Sequence, residues 1–242
     1  MKRALNFAKR DLKEIIRDPL SIIFAILLPL FLLFIFQQFK IPGEAYKLEN
    51  FTPGIIIFGF SFITLFTAVL VSKDRSTSLI TRLCASPMKT IDYILGYTLS
   101  VFPVVILQSV LFFVMAVFLG LKFSLNIIFA IIVSVPVSTL FILLGILIGC
   151  ITSEKSSSGI SSIVVQLVAF TSGMYFSSDM IGRGFDIVCN MLPFKSCVNI
   201  IKGILTSSSS DMLTSIIIVS LYIIIILVVS IVVFRGLINS NR

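Results

Sequence analysis

Six stretches of the chain contain no charged residue, and each is long enough to cross a lipid bilayer as a helix. All 19 basic and 11 acidic residues fall outside these stretches, which are 19–39, 50–72, 93–121, 123–153, 156–178 and 212–234. A spanning helix needs about 20 apolar residues, and a charged side chain at mid-bilayer costs roughly 2.5–3.5 kcal/mol. The pattern therefore predicts a polytopic membrane protein.

The rest of the composition favours helices as the spanning elements. Hydrophobic residues make up 57% of the chain, and charged residues only 12%. The apolar runs are continuous rather than alternating, which excludes a membrane β-barrel. Because backbone groups in lipid must be satisfied within their own segment, we expect an all-α fold with one domain over residues 1–242. The six predicted transmembrane helices are 20–39, 52–72, 93–119, 126–151, 157–176 and 212–234.

Two segments outside these spans have the pattern of non-spanning helices. Residues 1–18 predict an amphipathic helix in the membrane interface, although a disordered basic arm is an alternative. Its apolar residues at helical spacing are Leu5, Ala8, Leu12 and Ile15. Residues 177–211, interrupted by Pro193, are too polar to span and too apolar for a free loop. We expect a re-entrant pair of short helices there, packed on protein before the last span.

The basic residues indicate an orientation in the membrane. With the N-terminus in the cytoplasm, 13 of the 19 Lys and Arg residues lie inside and 6 lie outside. This asymmetry follows the positive-inside rule. We therefore expect a multi-pass protein of the plasma membrane with both termini cytoplasmic. The net charge of +8 then reflects orientation, and no nucleic-acid partner is expected.

The sequence contains no catalytic or metal-binding pattern. There is no His, the phosphate-binding pattern G-x-x-x-x-G-K-[ST] is missing, and the four cysteines lack metal-ligand spacing. We predict no catalytic residue, no metal site and no cofactor in this chain, so that energy must come from elsewhere. Cys189 and Cys197 lie in one predicted outer region, where either a disulfide or two buried thiols would fit.

Two glutamines lie near the middle of predicted spans, Gln108 in the third and Gln166 in the fifth. Each could bond neighbouring helices or line a substrate path, and the sequence leaves both readings open. Gly145 and Gly149 form a G-x-x-x-G pattern in the fourth span, which indicates close packing between helices.

Two motifs give the chain its resemblance to a known family. The loop after the second span resembles E-R-E-x-G-T-L-E-R-L-x-x-[ST]-P; its matching residues are Asp74, Arg75, Ile80, Arg82, Leu83, Ser86 and Pro87, followed by Gly96. The stretch Ser172-Gly173-Met174-Tyr175-Phe176 is similar to S-G-x-x-[FY] after the fifth span, and Leu192-Pro193 stands where the family has Asn-Pro. With its six spans, the chain resembles the permease subunits of the type-2 ABC transporter family.

This resemblance implies a function and partners. Two permease subunits, identical or related, would join separate ABC ATPase subunits that carry ATP and Mg²⁺ and drive export through the lipid bilayer. Short outer loops favour a drug, antibiotic or lipid-like substrate, with a surface polysaccharide as the alternative. Two other function classes stay open, namely an ATP-independent channel or immunity protein, and a lipid-modifying enzyme.

The loop 73–92 is the predicted contact with the ATPase. Leu79, Ile80 and Leu83 have helical spacing, so one short helix would present them on one face, and Pro87 would end that helix. The implied coupling residues are Asp74, Arg75, Leu79, Ile80, Arg82, Leu83 and Pro87. The alternative is a solvated basic loop that serves only membrane orientation. Gly173 and Pro193 mark the re-entrant motif.

Overall fold

The computed structural model describes residues 2–39, 46–77, 89–175, 182–207 and 211–240. Nine helices account for nearly all of this part of the chain, which contains no strand. They are α1 Lys2–Arg17, α2 Pro19–Gln38, α3 Leu48–Ser76, α4 Thr90–Phe118, α5 Leu125–Ile151, α6 Glu154–Thr171, α7 Arg183–Met191, α8 Pro193–Thr206 and α9 Met212–Ser240. The predicted all-α fold is confirmed.

The helices also confirm a polytopic membrane protein. Four of them (α3, α4, α5 and α9) are each long and apolar enough to cross a bilayer. Two further pairs are bent, by 65° between α1 and α2 and by 78° between α7 and α8. Counting each bent pair as one span, the described residues contain up to six by length and composition.

The predicted fifth span corresponds to α6, which is shorter and more polar than expected and is not among the candidate spans of the described residues. Helix α6 has 18 residues and starts with E-K-S-S-S-G, so its N-terminal turns are too polar to count toward an apolar span. It ends at Thr171, and Gly173 follows in the left-handed region with φ 79°. That backbone conformation is open to glycine at little cost and is typical of a helix C-terminus.

Helix α3 lies at the centre of the bundle, against α2, α4, α5, α6 and α8. Of its most apolar 18-residue stretch 83% is buried, against 17% for α9 at the periphery. A Cβ placed on Gly145 of α5 would lie 2.6 Å from the carbonyl oxygen of Thr64, and one on Gly149 would lie 2.6 Å from that of Ala68. The G-x-x-x-G pattern therefore does let α5 approach the backbone of α3 closely, as predicted.

Helix α1 confirms the predicted amphipathic helix and packs across α4. Its buried face includes Phe7 and Ile15. The ring of Phe7 meets Tyr97 edge-on, with 5.0 Å between centroids, and occupies the space that a Cβ on Gly96 would need. On another side of α1, Leu5 and Ile16 remain 50% and 64% exposed.

The re-entrant pair is formed by α7 and α8. Pro193 is the first residue of α8, where its missing N–H leaves no helical bond unmade. The hydroxyl of Tyr222 in α9 donates to the carbonyl of Met191 at 2.6 Å, which ties the bend to the last span. Cys189 and Cys197 are both buried free thiols, so the structure favours the second of the two readings for this pair.

Candidate functional site

The end of the bundle where α1 lies contains a cluster of charged side chains. Asp74, near the end of α3, is almost completely buried. Its Oδ2 accepts a hydrogen bond from the hydroxyl of Tyr97 in α4 at 2.9 Å. Both of its carboxylate oxygens accept from the guanidinium of Arg10 in α1, at 3.2 Å. One carboxylate thus joins three helices.

Arg10 is the centre of this cluster. Besides Asp74 it contacts the carboxylates of Asp11 at 2.7 Å and Glu14 at 2.8 Å. Lys73 completes the set, with its amine 3.3 Å from Glu14. We call these residues, together with Tyr97, the ionic cluster. Because the guanidinium is planar and carries five donors, it can serve several carboxylates at once.

Arg75, the neighbour of Asp74, connects α3 to the opposite side. Its Nη1 donates to the main-chain carbonyls of Gly149 and Thr152 at 3.2 Å, and to that of Cys150. These carbonyls belong to the C-terminal end of α5, where the helix dipole favours a cation. Adjacent residues at the end of α3 therefore bind in two directions, Asp74 to α1 and α4, and Arg75 to α5.

Of the ionic cluster the sequence reasoning named only Asp74, and Asp11 is the buried carboxylate among the members that it missed. It lies completely buried on the face of α1 that packs on the bundle. Burial raises the pKa of its carboxyl to about 8, and the negative charge of Asp74 adds to that rise while Arg10 opposes it. Within the described part of the chain, its Oδ2 has no hydrogen-bond partner. Its position three residues after Ala8 and four before Ile15, on the apolar stripe, was the available signal.

The other predicted coupling residues cannot be placed. Leu79, Ile80, Arg82, Leu83 and Pro87 lie outside the described residues. Asp74 and Arg75 are the two that the structure describes, and their contacts are within the chain.

The two mid-membrane glutamines occupy different environments. Gln108 is completely buried, and its amide donates to the carbonyl of Ala25 in α2 at 3.0 Å. A Cβ on Gly59 of α3 would lie 2.7 Å from the same amide nitrogen. Gln108 therefore sits in a tight junction of α2, α3 and α4, as an interhelical hydrogen bond requires.

Gln166 instead lies exposed on the outer face of α6. Ser158, Gly159 and Ser162 share this face and are also exposed, and a Cβ on Gly159 would meet nothing within 4 Å. We call these four residues the α6 polar face. The apolar Ile163 and Phe170 are exposed beside it, but an uncompensated amide is costly in a hydrocarbon environment, so the four polar positions suit water or another protein better than lipid.

At the opposite end of the bundle, the re-entrant motif packs among aromatic rings. After Gly173, the side chain of Met174 lies against Gly54, whose added Cβ would be 3.2 Å away. The hydroxyl of Tyr46 donates to the carbonyl of Tyr175 at 3.0 Å. Gly173 and Pro193 thus act through the backbone, the first by ending α6 and the second by starting α8.

Comparison with known proteins identifies the family. The sequence model of the ABC-2 type transporter family matches residues 5–206, which includes the ionic cluster, the α6 polar face and the re-entrant pair. The chain therefore belongs to the ABC-2 type transporter family and is a permease, a membrane component of an ABC transporter that is not itself catalytic. No curated protein gives a significant match to it.

Proposed function

We propose that this permease exports its substrate with energy from a separate ABC ATPase, in an assembly of two permease and two ATPase subunits. The observation that carries the proposal is the ionic cluster. It ties α1, α3 and α4 together at the two ends of the segment that resembles the family's ATPase contact, since α3 ends at Ser76 and α4 begins at Thr90.

A force applied to that segment would reach the helices through short, directional contacts. Asp74 lies two residues before the end of α3, and its partner Tyr97 is in the second turn of α4. Arg10 brings α1 into the same unit. In our proposal, closure of the ATPases shifts this unit as one body and opens the pathway outward.

The α6 polar face supports a second permease subunit. Facing a second copy or a related permease, Gln166 and its neighbours would border a path between the two subunits, where water or substrate could satisfy the amide. A drug, antibiotic or lipid-like molecule fits the short segments outside the helices, and a surface polysaccharide is the alternative cargo.

The orientation included in this proposal has both termini in the cytoplasm of a plasma-membrane protein. A single cysteine at position 122 should then react with an impermeant thiol reagent in intact cells, whereas one at position 76, which is also exposed, should not. Labelling of position 76 alone would reverse the orientation and, with it, the direction of transport.

Substitution of Arg82 tests the ATPase contact. We expect Arg82→Glu to insert normally, because one changed charge among 13 does not invert topology, but to lose co-purification with an ATPase encoded beside it and to lose export. Lys122→Glu, on the predicted outer side, is the matched control and should keep both. Export by the Arg82 variant at the rate of the unchanged protein would refute the coupling role.

A further inference from the structure

Three residues of the ionic cluster, Arg10, Glu14 and Lys73, line a cleft of about 740 Å³ that is open to solvent. Helix α1 supplies most of its lining, Asp18 follows directly after that helix, and α3 contributes Lys73; the α1 residues are Asn6, Lys9, Arg10, Lys13, Glu14 and Arg17. Two of the cations that line the cleft, Arg10 and Lys73, form ion pairs with carboxylates of the ionic cluster.

Three cations along this cleft are not used by the fold. Lys9, Lys13 and Arg17 recur every four residues, which places them in one row on α1, and all three are exposed. None of them forms an ion pair with another described residue. Three unpaired cations in one row form a site for a phosphate group, whose oxygens accept charge-assisted hydrogen bonds.

The neighbouring surface of α1 indicates where that phosphate comes from. At 100° per residue, the exposed apolar side chains Leu5 and Ile16 lie directly beside the row of cations, on the side away from the ionic cluster. A basic row that borders an exposed apolar row is the arrangement of a helix at a membrane surface. A phospholipid could place its headgroup against the cations and its acyl chain along Leu5 and Ile16.

We infer that the cleft binds the headgroup of an anionic phospholipid, with Lys9, Lys13 and Arg17 contacting its phosphate. The site is separate from the path proposed above, because it lies on α1 and that path borders α6. A lipid in the cleft would lie against Arg10 and Glu14, so the membrane composition would bear directly on the helix that the ionic cluster joins to α3.

The test is native mass spectrometry of the purified full-length chain in detergent, titrated with phosphatidylglycerol or phosphatidylcholine. We expect the unchanged protein to retain phosphatidylglycerol in preference to phosphatidylcholine. The triple variant Lys9→Gln, Lys13→Gln, Arg17→Gln should lose about tenfold or more of that preference, since it removes the three cations that attract the anionic headgroup. Lys89→Gln, Lys155→Gln, Arg235→Gln removes the same charge elsewhere and should retain it.

Additional variants and one competitor distinguish the possible causes of the lipid preference. The charge-conserving variant Lys9→Arg, Lys13→Arg, Arg17→Lys should keep the preference. That result would show that positive charge at these three positions, rather than the exact side chains, is what the lipid requires. Equal loss in both glutamine variants would overturn a discrete site in favour of general surface charge. Displacement of the lipid by millimolar soluble glycerol phosphate would overturn the lipid as its occupant. Full lipid preference in the first variant, with loss only of a co-purifying ATPase, would reassign the cleft to a protein partner.

Discussion

The ionic cluster and the α6 polar face are both polar regions of an apolar protein, but only in the cluster does each side chain have a partner within the described part of the chain. In the cluster, Arg10 satisfies Asp74 and Glu14 at hydrogen-bond distance. On α6, Gln166 and Ser162 point away from the bundle. The difference separates contacts that hold the subunit together from a surface that fits a partner or a path.

The largest effect should come from removing the carboxylate of the cluster. Asp74→Ala leaves the hydroxyl of Tyr97 without its acceptor and takes one partner from Arg10. We expect a loss of about 2–3 kcal/mol in the free energy of unfolding, smaller than for a fully buried pair because Arg10 is 39% exposed. Thermal unfolding in detergent measures it.

The control for Asp74→Ala is Glu49→Ala, which removes an exposed carboxylate from the first turn of the same helix. It should change stability by less than about 0.5 kcal/mol. Equal effects of the two substitutions would mean that the cluster does not hold α1 to the bundle.

A pair of glycines sharpens the contrast between the bundle interior and α6. Gly145→Val forces a side chain against the backbone of α3, and we expect a loss of about 1–3 kcal/mol. Gly159→Val on the α6 polar face meets open space and should leave the stability of the single subunit nearly unchanged. A reduced yield of dimers from the second variant alone would place a partner on that face. Size-exclusion chromatography with light scattering distinguishes the two effects.

The raised pKa of Asp11 predicts that the free energy of unfolding depends on pH through this one carboxyl of the ionic cluster. The Asp11 carboxyl has a pKa of about 8 in the folded protein, well above that of an aspartate in an unfolded chain. Near pH 7 the folded state therefore still holds a proton that the unfolded state has already released. Stability should therefore fall as pH rises, by about 1 kcal/mol between pH 7 and pH 8. Asp11→Asn should remove this decline, and an unchanged decline in that variant would assign the titration to another group.

The two glutamines should give the smallest change in stability and the clearest separation of roles. Gln108→Leu removes a buried hydrogen bond to α2 and should cost about 0.6 kcal/mol, with the substrate profile unchanged. Gln166→Leu should leave stability intact and change substrate preference in export assays. A changed profile from Gln108→Leu instead would place the path inside the subunit.

The sequence predicted those features that depend on a single segment. Charge-free length is a local property, so the long helices α3, α4, α5 and α9 were predictable. The amphipathic pattern of residues 1–18 likewise predicted α1. The end of α6 was placed at 176 rather than at Thr171, because a hydropathy pattern does not register the turn at Gly173.

The pairing of distant residues could not be predicted in the same way. Arg10 and Asp74 are 64 positions apart; the sequence marked Asp74 as a contact with the ATPase and Arg10 only as a charge outside the spans. Gln108 and Gln166 have similar apolar neighbours in the sequence. Their environments differ because Gln108 lies where α4 packs inside the bundle, whereas Gln166 lies on the exposed face of α6.

When the transporter works, α1 and α4 should move as one unit with the end of α3. In a cysteine-free background, spin labels at Lys13 and Leu95 (both exposed, on α1 and α4) report the distance between the two helices by double electron–electron resonance. A reference pair at Lys13 and Ser158 reports α1 against α6. With the ATPase bound, we expect trapping with ATP and vanadate to shift the distance of the reference pair and to leave the Lys13–Leu95 distance unchanged. Asp74→Asn should broaden the distribution of the Lys13–Leu95 distance. A shift of the Lys13–Leu95 distance as large as that of the reference pair would contradict movement as one unit.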